Sequence, residues 1–445
     1  MKTTLIQPTI GRVGDKKLER PWTLEPLAMA VLAGVTPPDI EIKFYDDRVE
    51  EIDYDDPTDL VGISVETSTA LRAYEIALHY REKGIPVVMG GVHPTLLPDE
   101  VREYADVIVT GHAEKTWPQL IADFRAGRME KTYQEGDSTL EAIALDRRVF
   151  KGKKYFPASL VEFGRGCPFR CDFCDIPVYF NGRHDTRVID RLVADIESSD
   201  RKFFVIVDDN LGSNPKALYE FCRAVKALKI QWVAQTSVTL ARNEELLGLV
   251  AESGCLGVLL GLESIDSDNL KRMNKKFNEY LPVAEAIRRF HAKGIRVHGS
   301  FIVGYDHDTK DSVSRLVEFA LKQKLFIANF NPLTPIPCTP LYLRLQKEGR
   351  MLNERWWLDY NYRYGDFVFQ PATMSPEEMA KVCEDAKAVF YSVPNILKRA
   401  CSSINVHGVS SFLGYFGINA LTKKEILVKA KSNLGYEKNL KHLLR

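Results

Sequence analysis

Residues 164–177 read GRGCPFRCDFCDIP and directly follow the apolar run ASLVEF at residues 158–163. The stretch holds Cys167, Cys171 and Cys174 at the spacing C-x3-C-x2-C. Three clustered thiolates can ligate three irons of a [4Fe–4S] cluster and leave the fourth iron without a protein ligand. That iron can bind and cleave a small molecule. The alternatives are three unrelated core cysteines or a zinc site, but zinc usually takes four ligands in C-x2-C pairs, and the sequence has no second pair.

Strand-like runs recur along the chain from this point. They read ASLVEFGRG, FFVIVDD, QWVAQTS, GVLLGLES, RVHGSFIVG and FIANFNPLTPI. A helix-like segment follows each run except the last. Repeated strand–helix units predict a partial (β/α)6 barrel, in which chemistry takes place at the carboxyl ends of the strands. The cysteines come just after the first strand, where a barrel active site is expected.

The N-terminal region alternates in a similar way. Its apolar runs are TTLIQPT, EIKFYDD, DLVGISV, PVVMGG and DVIVTG. Such runs between helices predict an α/β domain with a doubly wound (Rossmann-like) parallel sheet. Its ligand is expected beyond the carboxyl ends of the strands. That edge carries Pro8 with Thr9, residues 64–69, residues 90–94, and Gly111 with His112.

A chain of 445 residues predicts two or three domains. We expect a doubly wound domain at residues 1–125, a charged linker at 126–155 and the barrel at 156–345. Residues 346–445 are predicted to form a mostly helical C-terminal domain. The aromatic side chains at 356–364 either cover an apolar substrate or pack in a core.

Charge and hydropathy exclude several functions. Lys and Arg number 60, as do Asp and Glu, which argues against a general nucleic-acid binder. No apolar stretch approaches the roughly 18–20 residues of a membrane span. The other cysteines are scattered singly, so we expect a reducing cytoplasm rather than disulfide bonds.

The cysteine spacing, with Phe173 before the last cysteine, resembles the signature of radical S-adenosylmethionine (SAM) enzymes. In that family the open iron of a [4Fe–4S] cluster binds SAM, and one electron cleaves SAM to a 5′-deoxyadenosyl radical. The resemblance implies that Cys167, Cys171 and Cys174 bind the cluster and that Phe173 lies beside the SAM adenine, with ordinary packing next to the cluster as the alternative for Phe173. It also implies an external electron donor such as flavodoxin or ferredoxin.

The run VGYDHDT at residues 303–309 resembles the G-x-P-x-E-T element of that family, with YDHD in place of the usual LPGE. There Val303 and Gly304 would meet the adenine. The run LLGLES resembles a strand end at which Glu263 and Ser264 face the ribose and methionyl part of SAM.

Other charged and polar residues have open interpretations. Lys276, or its neighbour Lys275, would bind the SAM carboxylate, or else is a solvated loop charge. Asp208 and Asp209 suit metal binding or acid–base catalysis, whereas Asp, like the next residue Asn210, can also cap a helix. By position, Asp209 and Gln235 are cofactor-facing candidates.

The runs DLVGISVETSTALRAYEI and PVVMGGVHPT resemble the cobalamin-binding domain that precedes many radical SAM domains. The resemblance implies that cobalamin lies at the edge already described. It implies hydroxyl contacts to the cobalamin tail and a close approach of that tail to two glycines without Cβ atoms. The implied contacts are Pro8, Ser64, Thr67, Thr69, Gly90, Gly91, His93 and Gly111.

One departure concerns the cobalt ligand. Cobalamin domains of methionine-synthase type carry D-x-H-x-x-G after the first strand, and its His binds cobalt. Here that loop reads PTIGRVGDKKLERPW and contains no His. The resemblance therefore implies cobalt without a protein nitrogen below it. The alternative is a domain that binds no cobalamin.

The whole pattern is most similar to cobalamin-dependent radical SAM methyltransferases of class B, in the group of the hopanoid C-2 methylases. The implied enzyme removes hydrogen from an unactivated carbon of a hydrophobic small molecule. The substrate radical then takes a methyl group from methylcobalamin. Alternatives are ring formation, oxidation or rearrangement without methyl transfer, and a sensor without turnover.

The substrate is expected to be an isoprenoid, a lipid or a tetrapyrrole. Residues 422–445 hold seven Lys or Arg against two Glu, with apolar residues between them. This pattern suits contact with the inner face of a membrane. A solvated terminal helix is the alternative.

Overall fold

The computed structural model describes residues 1–13, 16–17, 22–135, 140, 143–199, 201–275, 281–429 and 432–436. The chain divides into two compact units. Unit 1 comprises Met1–Phe156, Arg355–Tyr364 and Val428–Arg445, and unit 2 comprises Pro157–Glu354 and Gly365–Leu427. Residues 346–445, predicted as one C-terminal domain, therefore contribute to both units.

Unit 1 is built on a parallel sheet. Its strands are β1 (Lys2–Gln7), β2 (Arg12–Val13), β3 (Lys16–Lys17), β4 (Glu41–Asp46), β5 (Leu60–Ser64), β6 (Val87–Gly90), β7 (Val107–Thr110) and β8 (Thr132–Gln134). Its helices are α1 (Leu27–Val35), α2 (Ala70–Glu82), α3 (Val92–Leu96), α4 (Pro98–Val101) and α5 (Thr116–Arg125). Six strands form the sheet in the order β4-β1-β5-β6-β7-β8, and β2 and β3 pair separately. The predicted doubly wound fold is confirmed.

The strand order places the ligand edge. The chain leaves β1 for β4 on one side and enters β5 on the other, so the order of the strands reverses next to β1. In doubly wound sheets the ligand crevice lies outside the carboxyl ends of the strands at such a switch point. Here that position lies beyond Gln7 and Ser64, the last residues of β1 and β5.

Two later segments of the chain belong to unit 1. Arg363 and Asn433 form an antiparallel bridge between these segments. The aromatic side chains of the first segment mostly pack in a core, as one of the two interpretations predicted. The buried ones are Trp356, Trp357, Tyr360 and Tyr362, whereas Tyr364 is 39% exposed.

Residues 126–155, predicted as a linker, also contribute to unit 1. They include β8, which pairs in parallel with β7, and the short helix Arg147–Phe150. Phe150 is buried in the core of the unit. The high charge of this segment hid a short edge strand with only one buried apolar residue, Tyr133.

Unit 2 holds a second parallel sheet. Its strands are β9 (Ser159–Val161), β10 (Gly164–Gly166), β11 (His184–Thr186), β12 (Phe203–Ile206), β13 (Gln231–Thr236), β14 (Cys255–Glu263), β15 (Arg296–Val303) and β16 (Ile327–Pro332). Six of them lie in chain order, β9-β12-β13-β14-β15-β16, and all neighbours are parallel. An open sheet in chain order with helices between its strands is the predicted partial barrel.

Eleven α-helices begin after residue 157 among the described residues. They are α6 (Ile176–Tyr179), α7 (Ile189–Glu197), α8 (Pro215–Leu228), α9 (Glu244–Glu252), α10 (Ser267–Arg272), α11 (Val283–Ala292), α12 (Lys310–Lys322), α13 (Pro340–Lys347), α14 (Pro376–Phe390), α15 (Val393–Ala400) and α16 (Val409–Lys429). Apolar residues of these helices and of the strands form one core. Among the described residues, no helix is both long and apolar enough to cross a membrane.

Candidate functional site

The cysteine loop, residues 167–175, belongs to unit 2 and follows β9 and the short strand β10. A short antiparallel ladder of β10 and β11 encloses it. Gly166 enters the loop at φ +82°, and a Cβ there would lie 2.1 Å from the carbonyl oxygen of Arg183. Only glycine fits this position. Cys167, Cys171 and Cys174 are half-buried and free of disulfide bonds.

The thiols of this loop suit a cluster. Burial raises the pKa of Cys171 to about 11, against the effect of the Lys275 charge, and also raises the pKa of Cys167 and Cys174. Within the described residues, no three His, Cys, Asp or Glu side chains converge on a single metal ion. A [4Fe–4S] cluster needs separated thiols, because each cysteine binds a different iron. Three cysteines of one loop match the donor set of such a cluster, and their ligation of it stays a prediction.

Two carboxylates accept hydrogen bonds from the backbone just before the cysteine loop. Oδ1 of Asp208 accepts a hydrogen bond from the backbone N–H of Phe163 at 2.8 Å, and Oδ2 of Asp209 accepts from that of Gly166 at 2.7 Å. Burial raises the pKa of Asp208 to about 8 and that of Asp209 to about 6, against the effect of these hydrogen bonds. The pair thus binds the backbone before Cys167. Cofactor contact by Asp209 stays a prediction.

Asn210 has a role that the sequence did not reveal. Its Nδ2 lies 3.7 Å from Sγ of Cys167, and its Oδ1 accepts from the backbone N–H of Ser237 at 3.1 Å. It makes no side-chain cap to the short helix Leu211–Ser213 that follows. The capping interpretation is wrong for Asn210. Its side-chain amide instead connects Cys167 of the cysteine loop with Ser237, which follows β13.

The end of β14 carries a buried ion pair. Glu263 has φ +59°, and its carboxylate pairs with Nζ of Lys275. Both side chains are at least nine-tenths buried. Nζ of Lys275 also lies 5.9 Å from the centre of the Phe173 ring, which places the pair beside the cysteine loop. Lys276, the predicted SAM-carboxylate contact, lies outside the described residues.

Two hydrogen bonds to backbone carbonyls join the cysteine loop to the residues before Lys275. The backbone N–H of Asp172 donates to the carbonyl of Met273 at 3.1 Å. Nδ2 of Asn274 donates to the carbonyl of Arg170 at 2.8 Å. The signature and the lysine are a hundred residues apart in sequence, yet they form one local structure.

An aspartate stabilises the turn after β15 by accepting hydrogen bonds from its backbone. Oδ2 of Asp308 accepts from the backbone N–H groups of Gly304 at 2.8 Å and Tyr305 at 3.0 Å. Its Oδ1 accepts from Nδ2 of Asn269 at 2.9 Å. Burial raises the pKa of Asp308 to about 6. The Tyr305 hydroxyl bonds the carboxylate of Asp172 and so joins this turn to the cysteine loop.

The remaining predicted residues of unit 2 lie at the same strand ends. Gln235 is exposed and donates to the carbonyl of Asp209 at 3.1 Å. Ser264 is buried, and its Oγ accepts from the N–H of Asp266 at 3.0 Å. The side chain of Val303 is buried in the core. SAM contacts by these residues stay predictions.

In unit 1 the two glycines after β6 differ. Gly91 has φ +108°, and a Cβ there would lie 2.8 Å from the carbonyl oxygen of Val65. A Cβ at Gly90 would come no closer than 3.4 Å to Val109, which is ordinary contact. Gly91 therefore serves the backbone turn, whereas a Cβ at Gly90 would pack against Val109 of β7 without strain. Approach of a cobalamin tail to these two glycines stays a prediction.

His93 is fully buried behind this edge. Its ring nitrogens lie 3.0 Å from the hydroxyl of Tyr74, 3.1 Å from Oε1 of Glu100 and 3.3 Å from Oγ1 of Thr67. Nε1 of Trp357 donates to the same Glu100 oxygen at 2.9 Å. His93 and Thr67, both predicted to contact cobalamin, thus contact each other.

The other residues predicted to contact cobalamin lie at or just beyond the carboxyl ends of the strands of unit 1. The Thr69 hydroxyl is bound within its own turn, by the N–H of Glu66 at 3.0 Å. Gly111 has φ +75°, and its N–H donates to Oγ1 of Thr95 at 2.9 Å. Pro8 is buried and Ser64 is half-buried. Their contacts with cobalamin stay predictions.

Comparison with protein families assigns both units. Residues 23–121 match the B12 binding domain, and residues 161–320 match the Radical SAM superfamily. The solved structure of the radical S-adenosylmethionine methyltransferase TsrM from Kitasatospora setae, with cobalamin and a [4Fe–4S] cluster bound, has a similar fold. Its TM-score is 0.68 at 16% identity, covering 96% of this chain and 99% of that one.

Curated relatives are more similar in sequence. Bacteriochlorophyllide d C-8(2)-methyltransferase of Chlorobaculum tepidum is 31% identical over 74% of this chain and 78% of the relative. Hopanoid C-2 methylase of Rhodopseudomonas palustris is 26% identical over 84% of this chain and 73% of the relative. The anaerobic magnesium-protoporphyrin IX monomethyl ester cyclase of Cereibacter sphaeroides is 26% identical over 66% of this chain and 52% of the relative.

Proposed function

The chain belongs to the cobalamin-dependent radical SAM enzymes, and we propose that it methylates an unactivated carbon of a hydrophobic substrate of the tetrapyrrole type. The predicted family, the enzyme class of C-methyltransferase, and the cofactors [4Fe–4S], SAM and cobalamin are confirmed. The substrate class is supported by the relative of 31% identity, whose name is that of a bacteriochlorophyllide methyltransferase.

One observation carries the radical chemistry in this chain. The three thiols lie in a loop that the segment after β12, the segment after α10 and the turn after β15 all contact. Bound cluster, SAM and cobalamin supply one-electron chemistry and a transferable methyl group. The protein has to hold them in place and exclude water. A carbon without acidity needs this route, because no general base can ionise its C–H bond at an accessible pKa.

Named residues would perform these tasks. Cys167, Cys171 and Cys174 would hold the cluster, with Asn210 bonding one of the ligating sulfurs. The Lys275–Glu263 pair offers a fixed cation and anion beside the loop, where the amino and carboxylate groups of SAM need opposite charges. In unit 1 the loops after β1, β5 and β6 would hold cobalamin.

The substrate can be identified with labelled SAM. Purified enzyme with a reconstituted cluster, cobalamin and a reductant is incubated with methyl-deuterated SAM and either bacteriochlorophyllide d or a hopanoid. The proposal expects a deuterated methyl group on the tetrapyrrole and none on the hopanoid. Labelling of the hopanoid alone would keep the methyltransferase and reject the tetrapyrrole class.

A second candidate is ring formation on a tetrapyrrole. The cyclase relative supports it, although this chain spans about half of that protein (52%). Ring formation would consume SAM and release 5′-deoxyadenosine without transferring a methyl group. The adenosyl radical would take one hydrogen atom, and ring closure would release a proton and return one electron to the cluster. The same incubation then gives an unlabelled product that is lighter by two hydrogens than its substrate.

We infer that an external one-electron donor, such as flavodoxin or ferredoxin, reduces the cluster. The exposed part of the cysteine loop and the turn before β11 carry Arg170 and Arg183, and basic side chains favour docking of an acidic donor. Replacing Arg170 by Glu should slow 5′-deoxyadenosine formation with flavodoxin but not with dithionite.

Peripheral membrane contact stays a prediction. Leu434, one of the apolar residues on which it was based, is 1% exposed in unit 1 and cannot enter a membrane there. Exposed apolar side chains occur instead on α15 and α16, including Val393, Leu397 and Leu413. Sedimentation with anionic vesicles tests the contact, and Leu413→Glu should weaken it if these helices take part.

A further inference from the structure

Residues 432–436, here called the tail segment, lie against the loop that follows β1. Gly435 and Gly11 form a parallel bridge, and the N–H of Gly435 donates to the carbonyl of Ile10 at 3.0 Å. The approach is close, since a Cβ on Gly11 would lie 1.8 Å from the carbonyl oxygen of Asn433. The tail segment thus fixes the path of residues 8–11.

A buried charged cluster binds the tail segment to α2. The backbone N–H of Tyr436 donates to both carboxylate oxygens of Glu75, at 2.8 and 2.9 Å. The Tyr436 ring lies 4.0 Å from the guanidinium carbon of Arg72, a distance typical of a cation–π contact. Arg72 pairs in turn with Glu75 at 3.2 Å and with Asp47 at 2.9 Å.

The same cluster also binds the loop after β1 directly. Oδ2 of Asp47 accepts from the backbone N–H of Thr9 at 3.3 Å. Asp47, Glu75 and Arg72 are almost fully buried, with exposures of 0%, 0% and 3%. Burying such charges is costly unless they are paired and hydrogen-bonded. The cluster therefore depends on the N–H groups that the loop and the tail segment supply.

The contact between the tail segment and the loop after β1 matters because of where that loop lies. It leaves β1 at the switch point of the sheet, where a doubly wound domain binds its ligand. It also lacks the histidine that would fix such a loop to cobalt. We propose that the tail segment replaces that fixation: residues 432–436 position the loop after β1 for cobalamin binding, with Gly435 and Tyr436 as positioning residues. The proposal rests on cobalamin binding by unit 1 and not on the substrate proposed above.

Two pairs of variants test this role. Gly435 and Gly349 both have φ +66°, but a Cβ on Gly435 would lie 2.7 Å from Oε1 of Glu75, whereas nothing lies within 4 Å of one on Gly349. Gly435→Ala and Gly349→Ala therefore share the backbone strain and differ only in the clash. Tyr436→Ala removes the ring over Arg72, and Tyr436→Phe keeps it.

Each variant, with its cluster reconstituted, is titrated with hydroxocobalamin and the absorbance is followed. Gly435→Ala and Tyr436→Ala should raise the Kd about tenfold or more, whereas Gly349→Ala and Tyr436→Phe should stay within about twofold of wild type. Iron content and 5′-deoxyadenosine formation should stay near wild type, which separates this outcome from general unfolding. Wild-type Kd values for Gly435→Ala and Tyr436→Ala would overturn the proposal.

Hydrogen exchange on the wild-type protein gives a test that does not depend on variant folding. Hydroxocobalamin should protect the amides of residues 9–11 and of residues 432–436 together, because the two segments share hydrogen bonds. Protection of residues 9–11 with unchanged exchange at 432–436 would overturn the proposal. Neither readout depends on which substrate is methylated, so failure of the substrate proposal leaves both results unaffected.

Discussion

The side-chain amide of Asn210 lies 3.7 Å from Sγ of Cys167. The same amide oxygen accepts from Ser237, so the geometry fixes the Nδ2 donor toward the sulfur. Hydrogen bonds to cluster sulfurs are one of the ways in which proteins set the reduction potential of an iron–sulfur cluster. We therefore predict that Asn210 influences the reduction potential of a cluster bound by Cys167.

Replacing Asn210 by Ala should lower the reduction potential of the cluster. The lost N–H donor stabilises the more negative, reduced form, so its removal makes reduction harder by tens of millivolts, on the order expected for one hydrogen bond (about 1 kcal/mol). Redox titration followed by EPR measures the shift. Asn243→Ala, which removes a helix cap at α9, serves as control and should leave the potential unchanged. Equal potentials in wild type and Asn210→Ala would contradict this role.

Stability should depend on pH through Asp308. Its pKa is raised by burial from 3.8 to about 6 in the folded protein, so between about pH 4 and 6 the folded state holds a proton that the unfolded state has lost. The free energy of unfolding then falls as pH rises through this window, by up to about 3 kcal/mol. Asp308→Asn should reduce the fall, as measured by urea unfolding at pH 4.5 and 7. An identical pH dependence in the variant would speak against it.

Replacing Lys275 by Met should destabilise unit 2. The change leaves the carboxylate of Glu263 buried without its cation, which typically costs about 3–5 kcal/mol. The double change Glu263→Gln with Lys275→Met removes the stranded charge and should recover much of the loss in thermal unfolding.

Lys276→Met is the companion variant for the SAM site. If Lys276 binds the SAM carboxylate, its loss should raise the Kd for SAM about tenfold or more with little change in thermal unfolding. A wild-type Kd for SAM would assign that contact to another residue.

Alanine variants of Gly90 and Gly91 should affect different properties, cobalamin binding for Gly90 and folding stability for Gly91. Gly91→Ala should destabilise unit 1 by about 1–3 kcal/mol, because φ +108° and the carbonyl of Val65 leave no place for a Cβ. Gly90→Ala should fold normally, because its Cβ would meet Val109 at an ordinary contact distance, and it should bind hydroxocobalamin more weakly because the added methyl group stands where the cobalamin tail is predicted to approach. Tight binding by Gly90→Ala would show that the cobalamin tail approaches elsewhere.

Much of this architecture could be predicted from local patterns. The three cysteines and the apolar strands lie in short stretches whose spacing and periodicity are visible in the sequence. Asn210 was missed because an asparagine at a strand end looks like a helix cap, and only its distance to Cys167 shows otherwise. The sequence did not indicate whether Lys275 or Lys276 has the special role, because two neighbouring lysines look alike in sequence. The structure shows that Lys275 pairs with Glu263.

The tail segment was unpredictable for another reason. Tyr436 and Glu75 are 361 residues apart, and nothing in either local sequence indicates the partner. The basic composition of residues 422–445 suggested a surface, but Leu434 and Gly435 are buried. Composition describes the average of a segment and does not reveal a few residues within it that pack.

The most direct test of the central claim follows the methyl group and the adenosyl group together. Reduced enzyme with cobalamin, methyl-deuterated SAM and bacteriochlorophyllide d should give a product carrying deuterated methyl, with about one 5′-deoxyadenosine and one S-adenosylhomocysteine per methyl transferred. Cys167→Ala should form neither product nor 5′-deoxyadenosine while still binding cobalamin. A product that forms with 5′-deoxyadenosine but carries no deuterium would contradict methyl transfer.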